Sequence, residues 1–287
     1  MDFKNKFNAY LNMVNDYLHS VFDEKNMSTY DAMKYSLYAG GKRVRPVLTL
    51  ACADSLHGNM DAALCYGSSI EMIHTYSLIH DDLPCMDNDD LRRGKPTNHI
   101  VFGENMAVLS GDALLNYACE NIAESKVGTP EMNLDALRII FAASGADGMI
   151  GGQVLDIASE DKIITADELM LLHSKKTGAL IKASASLGAI SAGREETLFD
   201  EYSSALGLAF QICDDILDVE SDTETFGKPV FSDEKNKKTT YITLYGLDGA
   251  KAKLQEETDR AVSALDFLGK DGEFLKEFAL YLLNRKN

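Results

Sequence analysis

Two runs of carboxylates stand out in the chain: Asp81-Asp82-Leu83-Pro84-Cys85-Met86-Asp87, continued by Asn88-Asp89-Asp90, and Asp214-Asp215-Ile216-Leu217-Asp218. In the second, Gln211, Asp214, Asp215 and Asp218 fall at i, i+3, i+4 and i+7, so a helix there carries three carboxylates and an amide on one face. Taken alone, such a cluster is as readily the solvated face of an amphipathic helix, because like charges one turn apart only mildly destabilise an exposed helix. The first run follows an apolar segment, residues 69–83, with Glu71, His74 and Asp81 at i, i+3 and i+10. A single histidine in such a place is ordinarily a satisfied core residue. Pro84 must break the helix, and the turn that follows can return Asp87 to the cavity that Asp81 faces. Carboxylates crowded into a cavity either protonate or recruit cations. Hard oxygen ligands that leave positions open suit Mg²⁺ with its waters and bound phosphates.

The basic residues cluster as well. Gly40-Gly41-Lys42-Arg43-Val44-Arg45-Pro46 opens a predicted helix, and Leu91-Arg92-Arg93-Gly94-Lys95-Pro96 closely follows the first acidic run. Glycines before a helix N-terminus, with lysine and arginine at hand, make a phosphate cradle from backbone N–H groups and guanidinium forks. Either run alone is equally a solvated basic loop. Two basic runs beside two acidic ones point instead to two diphosphates, one bridged to carboxylates by metal and one held directly by Lys, Arg and His. Asp87-Asn88-Asp89-Asp90 also matches the DxDD pattern of proton-initiated terpene cyclases, a four-residue match of little weight in an acid-rich chain. It does not fit an EF-hand, since Leu91 and Arg92 stand where that loop wants an oxygen ligand and glycine. No GxxxxGK[ST], GxSxG or HExxH motif is present, so ATP-type phosphoryl transfer and serine hydrolysis have no sequence support.

Helices must position these groups. Phe7, Tyr10, Leu11, Val14, Tyr17, Leu18, Val21 and Phe22 recur at spacings of three and four, leaving Asn8, Asn12, Asn15 and Asp16 outside. The same period appears at Leu134, Leu137, Ile140 and Phe141, at Leu206, Ala209, Phe210, Cys213, Ile216 and Leu217, and at Leu254, Ala261, Val262 and Leu265. Thr129 before Pro130, and Thr165 with Glu168 three residues on, are helix starts. Breaks are expected at Gly40-Gly41, across residues 84–94, around Gly151-Gly152, and across residues 221–240, the longest loop-like stretch. With five prolines and few alternating runs, the expected fold is all-α: a single domain over residues 1–287, about ten helices around a central cavity.

Composition narrows the function classes. Lys plus Arg total 28 against 45 Asp plus Glu, a net charge of −17, which argues against nucleic acid or an anionic membrane surface as partner. No run approaches the roughly 18 apolar residues of a spanning helix, and the first ten residues lack a signal-peptide pattern, so stable membrane insertion is not expected. Five widely spaced cysteines without a CxxC pair form neither a disulfide framework nor a zinc site. Reduced thiols in a cytoplasmic protein are expected.

Taken in order, Gly40-Gly41-Lys42-Arg43, His74, the Asp81 to Asp87 run, Leu91-Arg92-Arg93-Gly94-Lys95-Pro96-Thr97, Gly151-Gly152-Gln153-Val154-Leu155-Asp156, Lys176-Thr177-Gly178, Gln211 with Asp214 to Asp218, Phe226-Gly227-Lys228 and Lys238-Thr239-Thr240-Tyr241 resemble the short-chain trans-prenyl diphosphate synthases. The resemblance spans nearly the whole chain and is similar in detail to the bacterial farnesyl and geranylgeranyl diphosphate synthase type. Ile242 departs from it, standing where many relatives have proline.

The resemblance implies an isoprenoid-synthase helical bundle and head-to-tail condensation of isopentenyl diphosphate with an allylic diphosphate. Asp81, Asp87 and Asp214, supported by Asp82, Asp215 and Asp218, would hold Mg²⁺, three ions per active site. Arg92, Lys176 and Lys228 would contact the allylic diphosphate; Lys42, Arg45, His74 and Arg93, with Lys238, would serve substrate binding, chiefly of isopentenyl diphosphate. Thr177 and Gln211 would turn oxygen dipoles toward the allylic cation. Residues 221–240 and the tail around Arg285 and Lys286 are candidate lids, and a homodimer is implied. Tyr76 and Ser77, five and four positions before Asp81, would line the floor of the tail pocket. A tyrosine there, with the Pro84-Cys85 insertion, implies a fifteen-carbon product, geranylgeranyl diphosphate being the alternative. A class I terpene cyclase would bind no second diphosphate, so the Lys42, Arg45, His74 and Arg93 set favours condensation. A non-catalytic partner subunit would not need both aspartate runs and both lysines.

Overall fold

The computed structural model describes residues 2–220 and 239–283. Lys228, Lys238, Arg285, Lys286 and most of the expected lid segment lie outside the described residues. Within them the chain is helical apart from one small hairpin. The elements are α1 (Phe3–Phe22), α2 (Ser28–Leu37), α3 (Val44–Ser55), α4 (Met60–Asp81), β1 (Leu91–Arg92), β2 (Lys95–Pro96), α5 (Asn98–Phe102), α6 (Glu104–Ala123), α7 (Pro130–Ser144), α8 (Met149–Ser159), α9 (Ala166–His173), a π turn (Ser174–Gly178), α10 (Ala179–Ser191), α11 (Asp200–Glu220), α12 (Tyr241–Ser263), a 3₁₀ stretch (Asp266–Gly272) and α13 (Glu273–Leu283).

Local chemistry sets the helix starts. Asp2 accepts the Asn5 N–H at the head of α1, Asn59 the Ala62 N–H at α4, and Thr129 the Met132 N–H just before Pro130. Thr165 and Glu168 form the reciprocal cap of α9, and Thr240 with Thr243 forms a second one at α12. Burial then orders the bundle. On α1 the expected stripe turns inward through Phe7, Tyr10, Val14, Leu18 and Phe22; each such side chain contributes roughly 1.5–3 kcal/mol relative to exposure. In α3, α4 and α10 buried residues occur on every side, as in helices enclosed by others. These three pack on one another at the centre, with α1, α6, α7, α11 and α13 around them. The two ends of the described chain meet: the Phe3 ring lies 5.1 Å from Phe274 on α13.

Three expectations need correction. Gly151 and Gly152 do not break a helix; they lie inside α8, and the break falls at Gly145–Gly148, where ψ leaves the helical region. The apolar segment before Asp81 begins at Met60, nine residues earlier than expected, because Asn59 supplies the cap. On α7, Leu134 and Phe141 face outward, at 68% and 36% exposure. The buried residues there are Asn133, Ala136, Ile139, Ile140 and Ser144, and α7 packs on α10.

Candidate active site

A cavity of about 600 Å³ opens between α4, α8, the π turn and α11. Asp81 at the end of α4, Asp87 on the following turn and Asp214 of α11 all line it, together with Arg45, His74, Arg92, Lys176 and Thr177. Its other walls are mostly apolar, with Tyr76, Leu78, Met86, Met149, Ile150, Val154 and Ile157, interrupted by Ser77, His80 and Gln153. Acidic and basic groups thus share one space with a hydrocarbon-lined compartment.

The turn after α4 does what the proline required. The Asp87 N–H bonds the Asp81 carbonyl at 2.8 Å and the Asn88 N–H bonds the Leu83 carbonyl at 3.1 Å, folding the chain back so that two carboxylates six positions apart reach the same cavity. Asp82 points elsewhere. It is buried and receives the Arg92 guanidinium through Nε at 2.9 Å and through a second nitrogen, while Asp89 takes that nitrogen at 3.1 Å. The hairpin divides the two arginines. Arg92 sits on β1 opposite Lys95, whereas Arg93 and Gly94 occupy the turn with φ of 55° and 73°, the backbone of a type I′ turn. Arg93 consequently turns away, donating to the Gly40 carbonyl and lying 4.0 Å from Glu71.

The run before α3 is less of a cradle than its composition suggested. Arg43 is 3% exposed, bonded to Glu71 at 2.8 Å and to the Leu37 carbonyl, so its charge is consumed inside the protein. Lys42 is exposed on the turn. Arg45 alone of this run reaches the cavity, and its Nε is a buried nitrogen with no hydrogen-bond partner among the described residues. Burial lowers the Arg45 guanidinium to about 10, Glu71 opposing and Arg93 reinforcing, which leaves it cationic at neutral pH. Burial, then Arg45, Arg93, Arg92 and Arg43, hold His74 well below its usual range. It is a neutral imidazole with one N–H to offer.

Lys176 and Thr177 stand on the π turn between α9 and α10. The wider turn inserts a residue into an otherwise continuous helix and swings both side chains toward the cavity. Gly152 of α8 packs against it: a Cβ there would lie 2.2 Å from the Lys176 nitrogen. Lys176 Nζ bonds Asp156 Oδ2 at 2.6 Å, and Thr177 Oγ1 donates to Gln211 Oε1 at 3.1 Å. Asp156 stood in the sequence only as the end of a resembling run. Its spacing of four from Gly152 on one helix was the available signal.

On α11 the acidic face is no solvated surface. Asp215 and Asp218 are 4% and 5% exposed, and Asp215 Oδ2 accepts the Tyr241 N–H at 2.8 Å, binding α11 to the start of α12. Of this cluster, Asp214 is the member that lines the cavity. Ile242, beside that junction, packs against Leu169, Ile212, Ile216 and Tyr241. Both residues expected at the tail pocket line the cavity, Tyr76 at 5% exposure and Ser77 with its hydroxyl donating to the His74 carbonyl.

Burial, partly offset by Lys176 and reinforced by Asp87, pushes the Asp81 carboxyl up to about 6. A cavity that raises a carboxyl this way favours a bound cation. Among the described residues no three His, Cys, Asp or Glu side chains converge to cage an ion. The donors fit Mg²⁺ in the manner of one or two carboxylates per ion, the rest of its shell coming from water and phosphate oxygens.

Comparisons with known proteins agree with this architecture. The polyprenyl synthetase family matches residues 26–267. The chain is 43% identical over 279 residues to the farnesyl diphosphate synthase of Micrococcus luteus, covering 96% of each chain. It is 49% identical over 249 residues to that of Geobacillus stearothermophilus, covering 85% and 84%. The crystal structure of an FPP/GFPP synthase from Zymomonas mobilis superposes with a TM-score of 0.88 at 36% identity, covering 98% of both chains.

Proposed function

The chain belongs to the polyprenyl synthetase family, and on that premise we propose that it is a prenyltransferase condensing isopentenyl diphosphate with dimethylallyl and then geranyl diphosphate to give farnesyl diphosphate. One observation carries the reading: Asp81, Asp87 and Asp214 share a cavity with Arg45, His74, Arg92 and Lys176, beside apolar walls that include Tyr76.

Asp81, Asp87 and Asp214 would hold Mg²⁺, with Asp82, Asp215 and Asp218 buttressing their neighbours. Bound there, the metal would neutralise the allylic diphosphate and favour its departure. Arg92 and Lys176 bind the oxygens that gain charge as the carbon–oxygen bond breaks, in a place where burial strengthens their pull. The same role is assigned to Lys228, which lies outside the described residues. Arg45, His74, Lys42 and Arg93, with Lys238, hold isopentenyl diphosphate so that its double bond faces the allylic carbon. Thr177 and Gln211 turn oxygen toward the cation, while Met149, Ile150 and Val154 keep water from capturing it. The new carbon–carbon bond is followed by loss of one proton, which the released diphosphate accepts. Tyr76 closes the far end of the compartment and, with small Ser77 beside it, sets the length at fifteen carbons.

We read residues 1–287 as one domain, in keeping with the packing of Phe3 on Phe274, and the protein as cytoplasmic, in keeping with five free cysteines. No helix of the described residues is long and apolar enough to cross a membrane. The exposed apolar side chains Ile100, Val101, Val108 and Leu109 on adjoining α5 and α6 support a homodimer, to be checked by sedimentation.

The test is turnover of purified protein with isopentenyl and dimethylallyl diphosphate in Mg²⁺, read by product chromatography. A fifteen-carbon diphosphate is expected, together with loss of turnover in EDTA and in Asp81→Asn and Asp214→Asn by about 100-fold or more. Cyclisation of a single allylic substrate, or activity surviving EDTA, would overturn the proposal.

A further inference from the structure

The wall behind Tyr76 is built by a residue pair that the reaction itself does not use. His80, one turn beyond Tyr76 on α4, lines the same cavity, and its ring meets the Tyr76 ring edge-on at 5.7 Å and 72°. Its Nε2 lies 3.1 Å from the Val108 carbonyl of α6 and 4.0 Å from Asp112 Oδ1. The imidazole therefore bridges the two helices at the level of the tyrosine. Opposite stands Gly111, which is buried on α6. A Cβ built there would fall 2.1 Å from His80 Nε2 and 2.5 Å from Cδ2, inside the ring's own volume. Glycine at 111 is thus what lets the imidazole reach the α6 backbone with its Nε2 edge.

Packing alone holds Tyr76. Its ring belongs to the hydrophobic core and its hydroxyl is buried with no hydrogen-bond partner among the described residues, so no polar contact sets the ring's position and packing does, the edge-on contact with His80 included. We infer that His80, seated on Gly111, is a positioning residue for Tyr76 and that the pair sets the depth of the apolar compartment, making product length a joint property of α4 and α6. This rests on the reading that Tyr76 closes the tail pocket. Chemically the selected group is the hydrocarbon tail of the growing diphosphate, in steps of five carbons.

The experiment compares product distributions, KM and kcat for the full-length protein and its Gly111→Ala, His80→Ala, His80→Gln and Gly111→Ala/His80→Ala variants, with thermal unfolding as a check on folding. Gly111→Ala pushes the imidazole toward the compartment and should raise the ratio of ten- to fifteen-carbon product at least fivefold. His80→Ala frees Tyr76 to retreat toward α6 and should raise the ratio of twenty- to fifteen-carbon product at least fivefold, with the KM for isopentenyl diphosphate within about twofold of the parent. His80→Gln keeps an N–H for the Val108 carbonyl and should hold the parent distribution. The double variant should lose the shortening, because removal of the imidazole vacates the space the new methyl needs. A His80→Ala protein with the parent distribution, or shortening that persists in the double variant, overturns the inference; His80→Ala removes atoms only and keeps the test available should Gly111→Ala fail to fold. Tyr76→Ala run alongside decides the underlying reading separately: lengthening there with none in His80→Ala leaves Tyr76 standing and removes His80, whereas no lengthening in either removes both.

Discussion

The Lys176 ammonium lies 2.6 Å from the carboxylate of Asp156, joining the π turn to α8 along the wall of the cavity. Asp156 is 8% exposed, so its charge is fixed in place and aims the lysine. Asp156→Asn keeps the shape and removes the charge. Losing a charge-assisted bond of this kind is worth roughly 1.5–3 kcal/mol. We expect kcat to fall about 10- to 100-fold while the KM for isopentenyl diphosphate stays near its original value; steady-state kinetics with kcat unchanged would show that Lys176 needs no anchor.

Gly152 gives a second handle on the same turn. The Cβ of Gly152→Ala would press on backbone, 2.2 Å from the Lys176 nitrogen and 2.5 Å from its Cα, and backbone cannot rotate aside. Overpacking of this kind costs about 1–3 kcal/mol. The variant should melt several degrees lower, keep its helical circular dichroism and lose at least tenfold in turnover. Full activity at an unaltered melting temperature would mean that α8 gives way easily.

Arg92 and Arg93 diverge because one belongs to a strand and the other to a left-handed turn. Arg92→Ala should chiefly raise the KM of the allylic diphosphate, and Arg93→Ala that of isopentenyl diphosphate, each by about tenfold, the equivalent of 1.4 kcal/mol. Equal effects of both variants on one Michaelis constant would contradict the separation. Arg92→Ala also leaves Asp82 buried without its cation, so some loss of stability accompanies it.

The raised Asp81 carboxyl gives a pH signature to the metal-free protein. Its folded value of about 6 exceeds the ordinary 3.8, so the folded state holds that proton more tightly than the unfolded chain. Below about pH 4 both states are protonated and the group contributes nothing. As pH rises through 6 the buried charge comes to destabilise the fold, by about 3 kcal/mol at full ionisation. Asp81→Asn should therefore melt several degrees above the parent at pH 8 in EDTA and match it at pH 4. Binding of Mg²⁺ to the parent, followed by calorimetry, should weaken as pH falls below 6. Identical melting of the two proteins at both pH values would refute the assignment.

How far the sequence reaches can be judged from α4 and the turn behind it. Its apolar run announced a helix, Pro84 announced its end, and the two aspartate runs beside two basic runs announced groups that come to share one cavity. All of these are local facts, carried by residues a few positions apart. The buried stripe on α7 differs from the one its spacing suggests because Leu134 and Ala136 both belong to acceptable helical seams, and only the neighbouring helix decides which is buried.

The division of labour among like residues was not legible for the same reason. Asp81 and Asp82 are adjacent, yet one faces the cavity and the other holds Arg92; Asp214 lines the cavity while Asp215 secures the first residue of α12. Arg43 is buried on Glu71 while Arg45, two positions on, reaches the cavity. A sequence determines which groups share a helix face, because backbone geometry repeats every 3.6 residues. What a face meets depends on helices distant along the chain, and the turn that carries Lys176 comes so close to α8 that position 152 has no room for a side chain. That close approach is a property of packing, and tertiary structure alone decides it.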